Sequence, residues 1–210
     1  MGEWSFIIQF LVTITTVNKL TRGGNMITRN KTSLLLAALV AAGAYLALPI
    51  GPVPIVLQNL FVFLSGLLLG SRWGVASVGV YLMAGALGLP VFAGGVGGIG
   101  RFVGPTGGYL LGYLPAVYVI GWISKKSKGR VAVDVLAMVF GSIIIYACGV
   151  SWLKILSGLT LAKTLAVGMY PFILGDGVKI AAAVPIAKAL RPIINTSIEP
   201  KQHTDTYENH

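Results

Sequence analysis

Near the end of a long apolar run, PFILGDGVKIAAA (residues 171–183) places Asp176 and Lys179 three residues apart, on one face of any helix. Ionisable groups inside an apolar span are costly, so such a pair is a candidate for gripping a polar ligand, the carboxylate accepting hydrogen bonds and the ammonium donating them. The competing reading is a structural pair that neutralises itself. Gly175 and Gly177 beside it would let a ligand or a neighbouring helix come close. A further cation, Arg101, stands alone in VFAGGVGGIGRFVGPTGGY (residues 91–109), where a guanidinium suits a carboxylate or, more plainly, a lipid headgroup.

Other chemistries find no footing. Gly95, Gly97 and Gly100 spell GxGxxG, but a nucleotide fold needs a strand before that motif and a helix N-terminus after it, and this stretch lies between two apolar runs. GxxxxGK[ST] does not occur, so any ATP must be hydrolysed by a partner. HExxH is missing, and His203 and His210 both sit in the polar tail, which leaves serine and cysteine nucleophiles without a histidine base. A membrane enzyme working on lipid or isoprenoid headgroups would need an acidic cluster such as DDxxD for Mg²⁺, and a channel would need polar residues recurring along a pore. A nickel or cobalt carrier would need a ligand such as an N-terminal histidine. The one cysteine, Cys148, offers neither a disulfide nor a CxxC metal pair and reads as a small packing residue. A binding protein without metal or cofactor is the expectation.

The elements that must position these residues are set by composition. With 55% hydrophobic and 10% charged residues, the chain is far from the roughly 25% charged content of a soluble domain. Its runs are continuously apolar, unlike the alternating strands of an outer-membrane barrel. The fold class is all-α integral membrane protein, and 210 residues leave room for about five to seven spans of about 20 residues. Six helices are predicted: Ser33–Ile50, Leu57–Gly70, Trp73–Pro90, Gly107–Ile123, Val131–Val150 and Val167–Leu190. The second and third are short enough to form a tight hairpin at Ser71–Arg72. Residues 1–30 form an N-terminal extension, 31–192 the membrane domain, and 193–210 a polar tail. Trp4–Val17 is short for a span and reads as part of an upstream extension ahead of Met26, or as an interfacial helix.

The net charge of +10 could suggest nucleic acid, but the cations are spread over connectors instead of forming a stripe. Counted alternately from an inside N-terminus, one side holds Lys19, Arg22, Arg29, Lys31, Arg72, Lys125, Lys126, Lys128, Arg130, Lys188, Arg191 and Lys201. The other holds only Arg101, Lys154 and Lys163. This bias places both termini in the cytoplasm. The glycine stretch, the connector GPVPIVLQ (residues 51–58) and Ser151–Met169 then lie together outside, as the candidate walls of a site. Asp134, just beyond the KKSKGR connector, is assigned to the surface.

The run VPIVLQNLFVFLSGLLLGSRWGVASVGVYLMAGALGLPVFAGGVGGIGRFVGPTGGYLLGY resembles the BioY family, the biotin-specific substrate-binding (S) components of energy-coupling factor (ECF) transporters. The likeness extends over about Ser33 to Leu190, and the combination of LGLPVFAGG with GPTGGYLLG is its most specific part. It implies a six-transmembrane-helix bundle of the ECF S-component type in the plasma membrane, holding one biotin near the outer face. It also implies partners, a membrane scaffold protein and ATPase subunits, with ATP used only by them. Family members dock the scaffold through small residues on the first helix, where Ala37, Ala38, Ala41 and Ala42 here supply AxxxA twice. Biotin gives the polar residues work: Asp176 could accept from a ureido N–H, while Lys179 or Arg101 engages the ureido oxygen or the carboxylate. Gln58, Asn59, Phe92 and Tyr109 flank the outer connectors as secondary contacts. The alternative within the same architecture is an S component for another vitamin.

Overall fold

Continuously apolar chain satisfies its backbone polar groups internally only as helix, and helix is what forms. The computed structural model describes residues 25–48, 55–127 and 130–196; the readings of Trp4–Val17, of residues 51–54 in the GPVPIVLQ connector and of the tail beyond 196 lie outside them. In order, α1 is Asn25–Tyr45, α2 Gln58–Ala86, α3 Gly100–Val103, α4 Gly107–Ser127, α5 Val131–Ser157, α6 Leu161–Gly168 and α7 Tyr170–Thr196. Two short strands, β1 (Ala47–Leu48) and β2 (Ile55–Val56), pair antiparallel and join the end of α1 to the start of α2.

α2 is two helices folded back on each other. Gly70 adopts φ 74° and ψ −172°, a backbone conformation essentially restricted to glycine. Beyond it Gly74 lies against Ser65, and Gln58 Nε2 donates to the Tyr81 hydroxyl at 2.8 Å, contacts that require an antiparallel hairpin. Gly121 of α4 presses on this turn so closely that a Cβ there would meet the Gly70 carbonyl carbon at 2.3 Å. The expected hairpin is therefore present, with its break at Gly70, just before Ser71–Arg72. Taking the halves separately, α1, the two arms of α2, α4, α5 and α7 make six long helices, and α3 and α6 are short additions.

Every residue from Leu60 to Leu68 is buried, so the first arm of α2 is the axis of the bundle, as befits a helix apolar on all sides. Val40 and Ala37 of α1, Val78 and Tyr81 of the second arm, Val117 and Ile120 of α4 and Ala183 of α7 share its core. α5 is the reverse case: only 28% of its most apolar stretch is buried, and Leu136, Phe140 and Ile143 point outward. Among the described residues, Gly107–Lys126 and Val131–Ser157 are single helices long and apolar enough to cross a membrane, whereas Gln58–Ala86 is as apolar but divides its length between two arms.

Several boundaries depart from expectation. α1 stops at Tyr45, where the chain turns into β1, and the second arm of α2 stops at Ala86, short of Pro90. Ser151–Met169 is largely helical: α5 continues to Ser157, ends on left-handed Gly158, and gives way to α6. α7 starts at Tyr170 and continues through Pro185 and Pro192 to Thr196.

Asp134 is the clearest correction. It is 3% exposed, not on the surface. Arg191 Nη1 lies 2.6 Å from its Oδ2, Ser124 Oγ donates to its Oδ1 at 2.9 Å, and Arg191 Nη2 reaches Ser124 Oγ at 2.7 Å and the Leu67 carbonyl at 3.5 Å. A carboxylate is buried readily when a guanidinium 57 residues away folds onto it. The cluster ties α4, α5, α7 and the first arm of α2 together near the Gly70 end of the bundle.

Candidate functional site

At the opposite end, the helices surround a cavity that is open at its mouth. Gln58, Asn59, Phe92, Arg101, Tyr109 and Lys179 line it. Residues drawn from α2, the glycine loop, α3, α4 and α7 thus converge, and the sequence reading had named each of them.

The glycine loop forms the mouth. Phe92 is 2% exposed and stacks edge-on against Tyr81 and Phe102, at centroid distances of 5.5 and 5.6 Å. Gly97 lets the loop double back on itself, since a Cβ there would lie 2.2 Å from the Leu89 carbonyl oxygen. Side chains from neighbouring helices hold the loop in place: the Tyr45 hydroxyl donates to the Pro90 carbonyl, and Trp152 Nε1 donates to Gly104 O at 3.0 Å. Arg101 Nη2 reaches Ala93 O at 3.3 Å. Among the described residues the ion pairs are Lys179–Asp176 and Arg191–Asp134, so Arg101 brings an uncompensated positive charge to the mouth.

Deeper in, Lys179 stands nine residues into α7, about 13 Å along its axis. Lys179 Nζ is 2.9 Å from Asp176 Oδ1, and both residues are buried. Asn59 Nδ2 also approaches Oδ1, at 3.4 Å, and the Tyr146 hydroxyl donates to Oδ2. The Tyr113 hydroxyl donates to Asn59 Oδ1 at 2.7 Å. Asp176 therefore stands behind the cavity wall with three protein donors on its oxygens, while Lys179, Asn59, Tyr113 and Tyr146 face the space in front of it. Tyr109 is fixed by donation to Gly168 O at 2.7 Å and by its ring lying flush on Gly149.

Sequence reasoning passed over Tyr113, Tyr146, Thr106 and Phe172, which also line the cavity. The available signal was a hydroxyl-bearing aromatic deep within an apolar run, as in GSIIIYACGV around Tyr146. The alanines of α1 divide: Ala37 is buried in the core, Ala41 and Ala42 are half-buried, and Ala38 is exposed. The pair Ala38–Ala42 is thus the more outward of the two AxxxA repeats.

A bundle of long apolar helices with a polar-floored cavity at its end is the build of a membrane protein that binds a small molecule. The family model for BioY matches residues 17–196, and this chain belongs to the BioY family. It is 42% identical to the biotin transporter BioY of Thermotoga maritima over 159 residues, which is 76% of this chain and 93% of that protein. It is 43% identical to the probable biotin transporter BioY of Pyrococcus horikoshii over 157 residues, 75% and 92% of the two chains. The crystal structure of the S-component for biotin from an ECF-type ABC transporter superposes with a TM-score of 0.75 at 34% identity, covering 79% of this chain and 92% of that one.

Proposed function

We propose that this chain captures biotin at the outer face of the cell membrane, as the substrate-binding subunit of an ECF-type transporter. The carrying observation is the charge layout of the cavity. Its floor holds the Lys179–Asp176 pair, neutral as a unit, whereas its mouth holds the unpaired Arg101. Biotin has a matching layout, a neutral ureido ring at one end and a carboxylate at the other. The ring system enters first, its carbonyl toward Lys179 and Asn59, and the carboxylate stays at Arg101. Phe92 and Tyr109 supply apolar wall for the thiophane ring and valeryl chain, and Gln58 buttresses Tyr81 behind Phe92. Asp176 acts by holding Lys179 toward the ligand.

The cation bias supports an outward-facing mouth and cytoplasmic termini. Residues 31–192 serve as the membrane domain, between an N-terminal extension and a polar tail. The lack of a P-loop motif in the sequence supports dependence on partner ATPases and a membrane scaffold, with no cofactor in this subunit. The Ala38–Ala42 stripe of α1 is the docking edge for that scaffold.

Equilibrium binding of labelled biotin to the purified chain, alone and in competition with other vitamins, tests the substrate. Tight, selective binding of biotin is expected, and preference for another vitamin would overturn the assignment. Uptake by cells with and without the scaffold and ATPases tests the division of labour. Equal accumulation in both would sink it.

A further inference from the structure

Around the cavity floor, hydrogen-bond directions follow from what each group is able to do. A carboxylate paired with an ammonium has no proton to give, so Lys179, Asn59 and Tyr146 all donate to Asp176. Asn59 therefore turns its NH₂ toward Asp176 and its oxygen toward Tyr113. That oxygen only accepts, so the Tyr113 hydroxyl is the donor. Both tyrosine protons are thus committed within the protein, and what each hydroxyl still presents to the cavity is an acceptor lone pair. Lys179 uses one of its three N–H groups on Asp176, and Asn59 keeps its second amide hydrogen.

The geometry points to Tyr113 and Tyr146 as the acceptors that read the two N–H groups of a cyclic urea, with Lys179 and Asn59 donating to its carbonyl. This assignment rests on the biotin reading and names the residues that make it selective. The floor offers acceptors and donors in the complement of a urea, which has two donors around one acceptor. Asp176 is then a positioning residue, because its charge sets the direction of every bond in the network without touching the ligand. A ring lacking either N–H leaves a buried tyrosine oxygen without a donor, and such unpaired buried groups are what give polar sites their strong discrimination. A cyclic guanidinium in place of the urea sets a positive charge against Lys179 and is rejected as well.

The test measures equilibrium binding of biotin, and of biotin methylated at one or the other ureido nitrogen, to the purified full-length chain and to its Tyr113→Phe and Tyr146→Phe variants. The unaltered protein is expected to prefer biotin at least tenfold over each methylated form. Each phenylalanine variant should weaken biotin binding about tenfold or more, yet lose little further affinity for the analogue methylated at the nitrogen its tyrosine read. Equal losses for biotin and both analogues would show that the tyrosines only brace Asp176 and would overturn the assignment. Equal affinity of the unaltered protein for biotin and its methylated forms would overturn it even where a variant does not fold. Tight biotin binding with uncoupled variants removes this assignment and leaves the biotin reading standing, whereas no biotin binding by the unaltered protein removes both.

Discussion

Lys179 and Asp176 hold each other in a region where neither charge is at ease alone, so removing one strands the other. Lys179→Ala is expected to lower stability by about 3–5 kcal/mol and to abolish tight biotin binding. The paired change Asp176→Asn with Lys179→Met removes both charges together, and thermal unfolding in detergent should then recover most of the loss while binding does not. Recovery of binding as well would mean the pair has no part in recognition. Arg101 makes a separate prediction. Arg101→Gln should weaken biotin about tenfold or more but leave affinity for biotin methyl ester nearly unchanged, because the ester carries no charge to answer the guanidinium. Titration of both ligands against both proteins reads this directly, and an equal loss for the ester would place the carboxylate elsewhere.

Among the elements, the hairpin of α2 and the cluster at Asp134 make the sharpest demands. Gly70→Ala forces a side chain into a backbone conformation that only glycine holds comfortably, which costs about 1–3 kcal/mol and should appear as a lower unfolding temperature with the biotin affinity of the folded fraction intact. Arg191→Ala takes the guanidinium away from the buried Asp134 carboxylate, so a loss of about 3 kcal/mol or more is expected. An unfolding temperature equal to that of the unaltered protein would contradict the clamp. Much of this layer was readable in advance. Apolar runs broken at Arg72 and at KKSKGR announced the hairpin and the α4–α5 connection, because lipid permits little besides helix between polar breaks. What stayed hidden depended on partners distant in the chain: Asp134 was misplaced because Arg191 reaches it only in the folded bundle, and α6 looked like open connector because eight residues give a weak period. The cavity was half legible for the same reason. Asp176, Lys179 and Arg101 stand out as charges in apolar surroundings, whereas Tyr113 and Tyr146 are ordinary aromatics until two helices bring them to Asn59 and Asp176.

For the whole molecule, orientation is the first thing to establish, and the lone cysteine makes it accessible. In a Cys148→Ala background, Lys163→Cys on α6 should react with a membrane-impermeant thiol reagent on intact cells, while Lys126→Cys at the end of α4 should react only after permeabilisation. The opposite pattern would invert the topology. At the cavity end the exposed cations Lys154 and Lys163 join Arg101, and among the described residues the one carboxylate there, Asp176, is buried against Lys179. An anionic ligand should therefore associate more slowly as salt is raised, with little change in its rate of departure. Stopped-flow measurement at several ionic strengths separates the two. The knot of Asp134, Arg191 and Ser124 carries a consequence for traffic as well. It ties four helices together at the end away from the cavity, so ligand is expected to enter and leave by the mouth. In a vesicle the isolated subunit should trade labelled ligand with one compartment only, and exchange with both would show a second doorway.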